Sequence, residues 1–224
     1  MPNRKRPKRT TSKKFTVYCE GKTESRYLKG LRNWMATDHP EISLRLETVD
    51  IGGGGYREFI KRLRAEADSN CLARFVLLDY DRAKCHTGER TAFDELLGLS
   101  RESKGKRVPL ILIVSNDSFE YPLCCHDPEY RQGDPMAHLV HGWGYRDASD
   151  IKSDEQVWGR AHEGNRDHKV AMECLRKRPV LVDYDLQVPQ ANWDVRIKSV
   201  AFNPDAASSK TSNLPDLFKA IKVA

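Results

Sequence analysis

Two aspartates at the end of an apolar run are the residues best suited to chemistry. Residues 75–78 are uninterrupted apolar residues, and Asp79 and Asp81 follow them. Such a run is typical of a strand buried on both faces. Residues two apart on an extended chain point the same way, so we expect both carboxylates to converge just beyond the strand. Ionised carboxylates held close repel each other unless a cation or a shared proton lies between them, and magnesium suits an all-oxygen site. The spacing alone also fits an ordinary turn or helix cap.

A third carboxylate follows the first predicted strand. Residues 15–19 are rich in strand-forming types, and Glu20 comes directly after them. Glu20 therefore occupies the same place on its strand as Asp79 does on the strand over 75–78. The carboxyl ends of parallel strands meet at one edge of a sheet, where open α/β sheets bind ligands. We expect Glu20 and Asp79 to meet at that edge.

A polar segment follows the predicted strand over 108–114. Asp117 lies three residues before Glu120, which is the spacing of a capping box at a helix start. On that interpretation Glu120 binds backbone amides and does no chemistry. On the alternative interpretation, one of Asn116, Asp117 and Glu120 contacts a metal or a water molecule at the sheet edge. The residue pattern leaves both open.

These motifs resemble a known family. The matching segments are VYCEGKTE at 17–24, DYD at 79–81 and VSNDSFE at 114–120, followed by His126. A glutamate and an Asp-x-Asp delivered to one edge of a parallel sheet are similar to the TOPRIM domain, and the longer segments resemble its RloB-like branch. The resemblance covers residues 14–126 and returns weakly at Asn203–Pro204. Tyr121–Pro122 departs from that branch. In RloB-like chains the Phe-Glu is usually followed by Trp paired with an aromatic or small residue.

The resemblance implies roles for individual residues. Asp79 and Asp81 would be metal ligands, and Glu20 would be a further ligand or the general acid/base. The cation that neutralises the scissile phosphate would be Lys22, Arg82 or Lys84. Lys84 is the favoured catalytic cation, because related nucleases use a basic residue shortly after the second carboxylate. Substrate contacts are implied for Lys22, Arg82, Asn116, Glu120 and His126.

The implied activity is that of a metal-dependent nuclease cleaving phosphodiester bonds in RNA, tRNA included, or DNA. Mg²⁺ would be the cofactor, and Mn²⁺ could replace it. RloB-like chains are associated with bacterial antiphage defence and often with an ATPase partner protein, and this chain has no Walker motif of its own. Two alternatives stay open. One is a catalytically inactive TOPRIM-like module that binds nucleic acid or a partner, and the other is a small-molecule phosphotransferase.

The elements around the motifs predict an α/β fold. The predicted strands cover residues 15–19, 42–49, 75–78 and 108–114, and the predicted helices between them cover 23–36, 56–68 and 89–99. This alternation predicts right-handed βαβ crossovers and a TOPRIM-like, mostly parallel sheet flanked by helices. Residues 42–49 alternate apolar and polar types, which fits a half-buried or edge strand. The glycines at 52–55 form either a flexible connection or a secondary contact to a substrate phosphate.

The chain divides into three predicted parts. Residues 1–14 form a basic flexible arm, 15–130 a TOPRIM-like catalytic domain, and 131–224 a C-terminal helical extension packed on the same domain. In the extension we expect a helical region over 150–178, short β segments over 180–200 and a terminal helix over 214–223. The arm contains seven basic residues and no acid; subtracting these seven from the formal net charge of +6 leaves −1 for the rest. Such an arm either adds salt-dependent affinity for a phosphate backbone or serves only to keep the chain soluble.

The bulk composition limits the class of protein. The chain has 224 residues, of which 39% are hydrophobic and 31% charged, and no apolar stretch approaches the length of a membrane span. Residues 1–14 contain no apolar run, so we expect a cytoplasmic protein that keeps its six cysteines reduced. Cys124, Cys125 and His126 are too closely spaced for a zinc site. The oligomeric state is left open, a homodimer included.

Overall fold

The computed structural model describes residues 13–38, 40, 42–48, 54–66, 71–116 and 118–223. Most of the basic arm predicted over 1–14 lies outside the described residues. Asp117, the predicted helix cap, and the first two glycines of the run at 52–55 also lie outside them. The described part of the chain forms two sheets and ten α-helices.

Within the described residues, the main sheet has five strands in the order β2-β1-β3-β4-β7. The strands are β1 (Lys13–Cys19), β2 (Ile42–Thr48), β3 (Cys71–Asp79), β4 (Leu110–Asn116) and β7 (Thr211–Ser212). The first four run parallel to their neighbours, and β7 runs antiparallel to β4. The predicted α/β class with a mostly parallel sheet is therefore confirmed, and β2 is the edge strand that its alternating pattern predicts.

The apolar runs form the centre of the sheet because both of their faces are covered. Phe75 to Leu78 of β3 are all buried, and every residue of β4 is buried. Helices on the two faces supply the covering side chains, and Leu28 and Leu31 on α1 have no exposed surface. The helices of this half are α1 (Lys22–Asp38), α2 (Arg57–Ala65), α3 (Asp81–Cys85), α4 (Thr87–Glu102) and α5 (Glu120–Cys124).

The C-terminal half contains more strand than the sequence predicts. Its elements are α6 (Pro135–Trp143), α7 (Ala148–Ser153), α8 (Val157–Arg160), α9 (His168–Arg176), β5 (Val182–Gln187), β6 (Arg196–Phe202), a 3₁₀ helix (Pro204–Ser208), β7 and α10 (Leu214–Ala220). The region predicted as helical over 150–178 contains the end of α7, then α8 and α9, which are separated by turns. Strands β5 and β6 pair as an antiparallel hairpin.

This half completes the edge of β4. Strand β7 pairs only with Ser115 and Asn116. Further along β4, the Leu112 amide donates to Tyr184 Oη at 2.9 Å, and the Val114 amide donates to Asn213 Oδ1 at 2.7 Å. Side chains thus satisfy backbone donors that a longer strand would otherwise have paired, so the C-terminal half is bound tightly to the sheet.

The structure also describes the state of the cysteines and the character of the helices. All six cysteines are free thiols, and four of them are buried. In the part of the chain that is described, none of the helices combines the length and the apolar character needed to cross a membrane.

Candidate functional site

The chain order creates a topological switch point between the carboxyl ends of β1 and β3, and we call this place at the sheet edge the crevice. From β1 the chain passes to β2 on one side, whereas β3 lies on the other side of β1 and continues to β4. Neighbouring strands whose connections leave in opposite directions mark the point where open α/β sheets bind ligands. Glu20 follows β1 and Asp79 ends β3, so the two carboxylates flank this point. The predicted meeting of Glu20 and Asp79 therefore agrees with the structure.

Five carboxylates influence one another at this crevice. Burial raises the pKa of Asp79 well above its usual value, and the neighbouring negative charges raise it further. Those charges belong to Glu24, Glu20, Glu120 and Asp81. We call Glu20, Glu24, Asp79, Asp81 and Glu120 the acidic cluster.

The pKa of Glu20 rises to about 7, chiefly because the side chain is buried and next because of the charge on Glu24. A backbone hydrogen bond at Asp79 and the guanidinium of Arg82 act in the opposite direction. One oxygen of this carboxylate, Oε2, is buried without a hydrogen-bond partner among the described residues. A buried carboxylate oxygen without a donor is costly, so a ligand that supplied positive charge here would stabilise the site.

Glu24 is the member of the cluster that the sequence did not identify as a site residue. It lies in the first turn of α1, only 5% exposed, and burial raises its pKa to about 7. Its carboxylate packs against Gly21, where an added Cβ would collide with it. A sequence signal was present, because Glu24 lies in the first turn of the helix that begins two residues after Glu20.

Asp81 reaches the crevice by a different route from the one predicted. Tyr80 has helical backbone angles, φ −82° and ψ −8°, and Asp81 begins α3. The expectation that Asp79 and Asp81 point the same way along an extended chain is therefore wrong. Asp81 is exposed, and its Oδ1 accepts a hydrogen bond of 2.6 Å from the Arg82 amide. Its charge still raises the pKa of both Glu20 and Asp79.

Positive charge at the crevice comes mainly from Arg82. Its guanidinium lies 3.9 Å from Glu20 Oε1 and 3.7 Å from Glu89 Oε1. Lys152 on α7 also acts on the cluster, because its charge lowers the pKa of Glu24. Lys22 begins α1 and Lys84 lies on α3, and both are exposed. Arg82 is thus a predicted cation that lies within ion-pair distance of the cluster, at Glu20.

The described part of the glycine run is occupied by a carboxylate. Glu89 Oε2 accepts a hydrogen bond of 2.8 Å from the Tyr56 amide, just before α2. Gly55 has φ +56°, and a Cβ there would collide with the Glu89 carboxylate. The Tyr56 hydroxyl donates to the Asp79 carbonyl. The Tyr56 amide at the end of this run is therefore already bound by Glu89.

Three predicted substrate contacts have different surroundings. Glu120 begins α5, and its charge raises the pKa of Glu24 and Asp79, so it belongs to the acidic cluster. Asn116 is 1% exposed, and its Nδ2 donates to the carbonyls of Ala206 at 3.2 Å, Ala207 at 3.0 Å and Ser209. This amide therefore fastens the 3₁₀ helix to the end of β4.

His126 has no exposed surface. Its Nε2 shares a hydrogen bond of 2.8 Å with Tyr27 Oη, and its ring packs against Trp158 and His162. Burial lowers its pKa well below the usual value. In this arrangement His126 is a neutral packing residue that a substrate reaches only after the surrounding helices move.

The acidic cluster offers the ligands that hard divalent cations prefer. All of its donors are carboxylate oxygens, which suits Mg²⁺ and Mn²⁺. The oxygens are not closely gathered, however. In the described ranges, the group with three candidate ligand atoms within 4.8 Å of one another is instead His162, Asp167 and His168. Comparisons of the chain with protein-family models, curated proteins and solved structures found no match.

Proposed function

We propose that this chain is a divalent-metal-dependent nuclease that cleaves phosphodiester bonds in RNA or DNA. The observation that carries the proposal is the acidic cluster at the crevice between β1 and β3, in which Glu20, Glu24 and Asp79 all have raised pKa values. Carboxylates placed where they destabilise each other are characteristic of functional sites.

A cation is the simplest counterpart for this concentration of negative charge. Burial and the charges of neighbouring carboxylates raise the pKa of Glu20, Glu24 and Asp79, whereas Arg82 and Lys152 act in the opposite direction on Glu20 and Glu24. Protonation relieves the repulsion at low pH, and a divalent cation would relieve it at higher pH. Glu20, Asp79 and Asp81 are the proposed ligands, with Glu24 and Glu120 adding negative charge around them.

When bound, Mg²⁺ would supply positive charge to the phosphodiester and to the departing oxygen. The chain's own residues have separate tasks. The alternative role for Glu20 is proton transfer in place of metal binding, and its pKa of about 7 in the metal-free chain suits a group that accepts or donates a proton near neutral pH. Arg82 is placed to orient a phosphate beside Glu20. Lys22 and Lys84 are exposed and would neutralise neighbouring phosphates of the strand.

The resemblance to the RloB-like branch of TOPRIM proteins supports this assignment and extends it. It favours an effector in bacterial antiphage defence that acts with an ATPase partner. The non-catalytic alternative is a TOPRIM-like module that binds nucleic acid or a partner. It is favoured because, among the described residues, the acidic cluster does not bring three ligand atoms within 4.8 Å of one another, and because the Arg82 guanidinium already supplies one positive charge.

Cleavage of mixed RNA and DNA tests the choice. Wild type is compared with Asp79→Asn and Glu20→Gln in Mg²⁺, Mn²⁺ and EDTA. We expect metal-dependent strand scission by wild type and a loss of at least about 10²-fold in both variants, because each replaces a carboxylate that would hold the metal ion. Glu95→Gln is the matched control, since Glu95 is an exposed carboxylate that pairs with Arg64 on the helical surface.

Equal cleavage by wild type and both variants would contradict the nuclease proposal. Binding of nucleic acid without scission in either metal, also with an ATPase partner present, would support the non-catalytic module. Turnover of free nucleotides without strand scission would instead indicate a phosphotransferase.

A further inference from the structure

A second group of possible ligands lies between α8 and α9. His162 Nε2 is 3.2 Å from His168 Nδ1, and His168 Nδ1 is 3.1 Å from Asp167 Oδ1. We call His162, Asp167 and His168 the histidine cluster. Two ligand atoms bound to tetrahedral zinc at about 2.0–2.1 Å are separated by about 3.3–3.4 Å. The two measured separations are close to that value.

Hydrogen bonding orients one of the rings for metal binding. His162 Nδ1 lies 2.8 Å from the Trp158 carbonyl oxygen. A carbonyl oxygen only accepts, so Nδ1 carries the proton and Nε2 presents its lone pair toward His168. Metal-binding histidines are commonly fixed in this way, with the second ring nitrogen donating to a carbonyl or carboxylate.

The surroundings of the histidine cluster combine shelter with access. The His168 side chain is 10% exposed, whereas the Asp167 side chain is 44% exposed, so an ion can enter beside Asp167. The Trp158 ring lies over His162 with centroids 4.1 Å apart, and the Trp34 ring lies 5.6 Å from His168. Rigid aromatic walls hold both imidazoles in place.

Helix capping accounts for part of this arrangement without an ion. Asp167 is the N-cap of α9, and its Oδ1 accepts a hydrogen bond of 2.7 Å from the Lys169 amide. A proton on His168 Nδ1 could then be shared between Asp167 and His162. Capping does not explain why His162 aims its lone pair at the same point. A carboxylate has enough lone pairs to cap the helix and bind an ion at once.

We propose that His162, Asp167 and His168 form a zinc site, with water as the fourth ligand. A site with two imidazoles and one carboxylate favours zinc, because magnesium prefers a site made of oxygen ligands. With the ion bound to Nδ1, the ring proton of the neutral His168 lies on Nε2, so no net proton is released. The ion would tie the segment after α8 to the first turn of α9. The site lies on other elements than the acidic cluster and does not depend on the proposed nuclease activity.

Zinc binding by the full chain tests the proposal. Protein in a reducing buffer with excess Mg²⁺ is titrated with Zn²⁺ by calorimetry, and the shift of Tm is measured in parallel. We expect one zinc per chain and a rise in Tm of roughly 5 °C or more at saturating zinc. The absorption spectrum of bound Co²⁺ should show no thiolate charge-transfer band, because the proposed ligands are nitrogen and oxygen.

Two variants separate ligation from packing. Asp167→Asn keeps a good helix cap but removes the charged ligand, so it should fold normally and bind zinc at least about tenfold more weakly. His162→Gln should weaken binding similarly, with circular dichroism confirming the fold. His141→Gln, which alters an exposed histidine on α6, and Asp79→Asn, which alters the acidic cluster, should bind zinc as wild type does. Unchanged zinc binding in Asp167→Asn, a thiolate band, or loss of binding in Asp79→Asn would each overturn the site.

Discussion

The acidic cluster and the histidine cluster are both groups of ionisable side chains, but their pKa values shift in opposite directions. Burial raises the pKa of Glu20 and Glu24 to about 7, and it lowers the pKa of His162 and His168. In both places burial favours the neutral form. Near neutral pH the histidines are therefore neutral, which is the form that burial favours. The buried carboxyl groups ionise in the same pH range, although burial disfavours their charged form.

This difference indicates which region needs a ligand. Neutral imidazoles hydrogen-bond to one another and stack on Trp158, so the histidine cluster has partners in its metal-free form. The acidic cluster has a buried oxygen, Glu20 Oε2, without a partner in the part of the chain that is described. A cation at the acidic cluster would therefore relieve an existing electrostatic cost, whereas zinc at the histidine cluster would replace hydrogen bonds that the metal-free chain already makes.

The largest expected effect is on cleavage. Glu24→Gln removes a charge that the sequence did not assign to the site, and we expect it to reduce Mg²⁺-dependent scission by at least about 10²-fold. His162→Gln should leave scission near the wild-type rate. Mn²⁺ binding followed by paramagnetic resonance gives a second readout, which Glu24→Gln should weaken. Wild-type activity in Glu24→Gln would remove that residue from the cluster's function.

The next effect is on stability as a function of pH in EDTA. A raised carboxyl pKa favours the protonated form in the folded state. For Glu24, the contribution of the protonated carboxyl group to stability is therefore present below about pH 4.5 and is lost as the pH rises through about 7. Glu24→Gln cannot ionise, so at pH 8 the metal-free variant should be more stable than wild type by about 2–3 kcal/mol. Chemical denaturation from pH 5 to 8 measures this difference.

Excess Mg²⁺ sharpens the same comparison. If the cation neutralises the acidic cluster, it should reduce the loss of wild-type stability between pH 5 and 8 and should have less effect on Glu24→Gln. The exposed variant Glu95→Gln should follow the wild-type curve with and without Mg²⁺. Parallel curves for wild type and Glu24→Gln in EDTA would show that the pKa of Glu24 is not raised.

The two regions also differ in how far the sequence revealed them. Glu20 and Asp79 were predictable because each directly follows an apolar strand, and parallel strand ends meet at one edge. Asp81 was predicted near them for a wrong reason. The prediction assumed an extended chain through Tyr80, but Tyr80 has helical backbone angles and Asp81 begins α3. The strand-end rule concerns backbone topology, so it locates residues but not side-chain directions.

The histidine cluster was not predictable in the same way. His162 and His168 are six residues apart, and they meet only because the segment after α8 folds back onto the start of α9. The packing of Trp158 on Tyr27 of α1 adds to this arrangement, and no local pattern specifies a contact over that distance in the chain. Likewise, Asn116 follows a strand as Asp79 does, but tertiary packing commits its amide to the 3₁₀ helix.

The smallest expected effect is the change in the free energy of unfolding when a buried hydrogen bond beside the histidine cluster is removed. Tyr27→Phe removes the hydroxyl that hydrogen-bonds with His126 Nε2 and leaves that nitrogen buried without its partner. We expect a loss of about 1–2 kcal/mol in the free energy of unfolding. Glu24→Gln has the opposite sign in EDTA, because there the substitution removes a repulsive charge and here it removes a satisfied bond. Tyr130→Phe, whose hydroxyl donates to the Gly133 carbonyl in a part-buried position, is the control and should cost less.

The stability difference between wild type and Tyr27→Phe should be nearly independent of pH. Burial lowers the pKa of His126, so its contribution to stability is present above about pH 6.5 and is lost as the pH falls below that value. Protonation of His126 in the unfolded state drives that loss in wild type and in Tyr27→Phe alike, so the two stability curves should fall together on acidification. Tyr27→Phe as stable as wild type at pH 8 would mean that the hydroxyl contributes nothing. The packing of the His126 ring against Trp158 and His162 would then account for its position, which Trp158→Leu would test in turn.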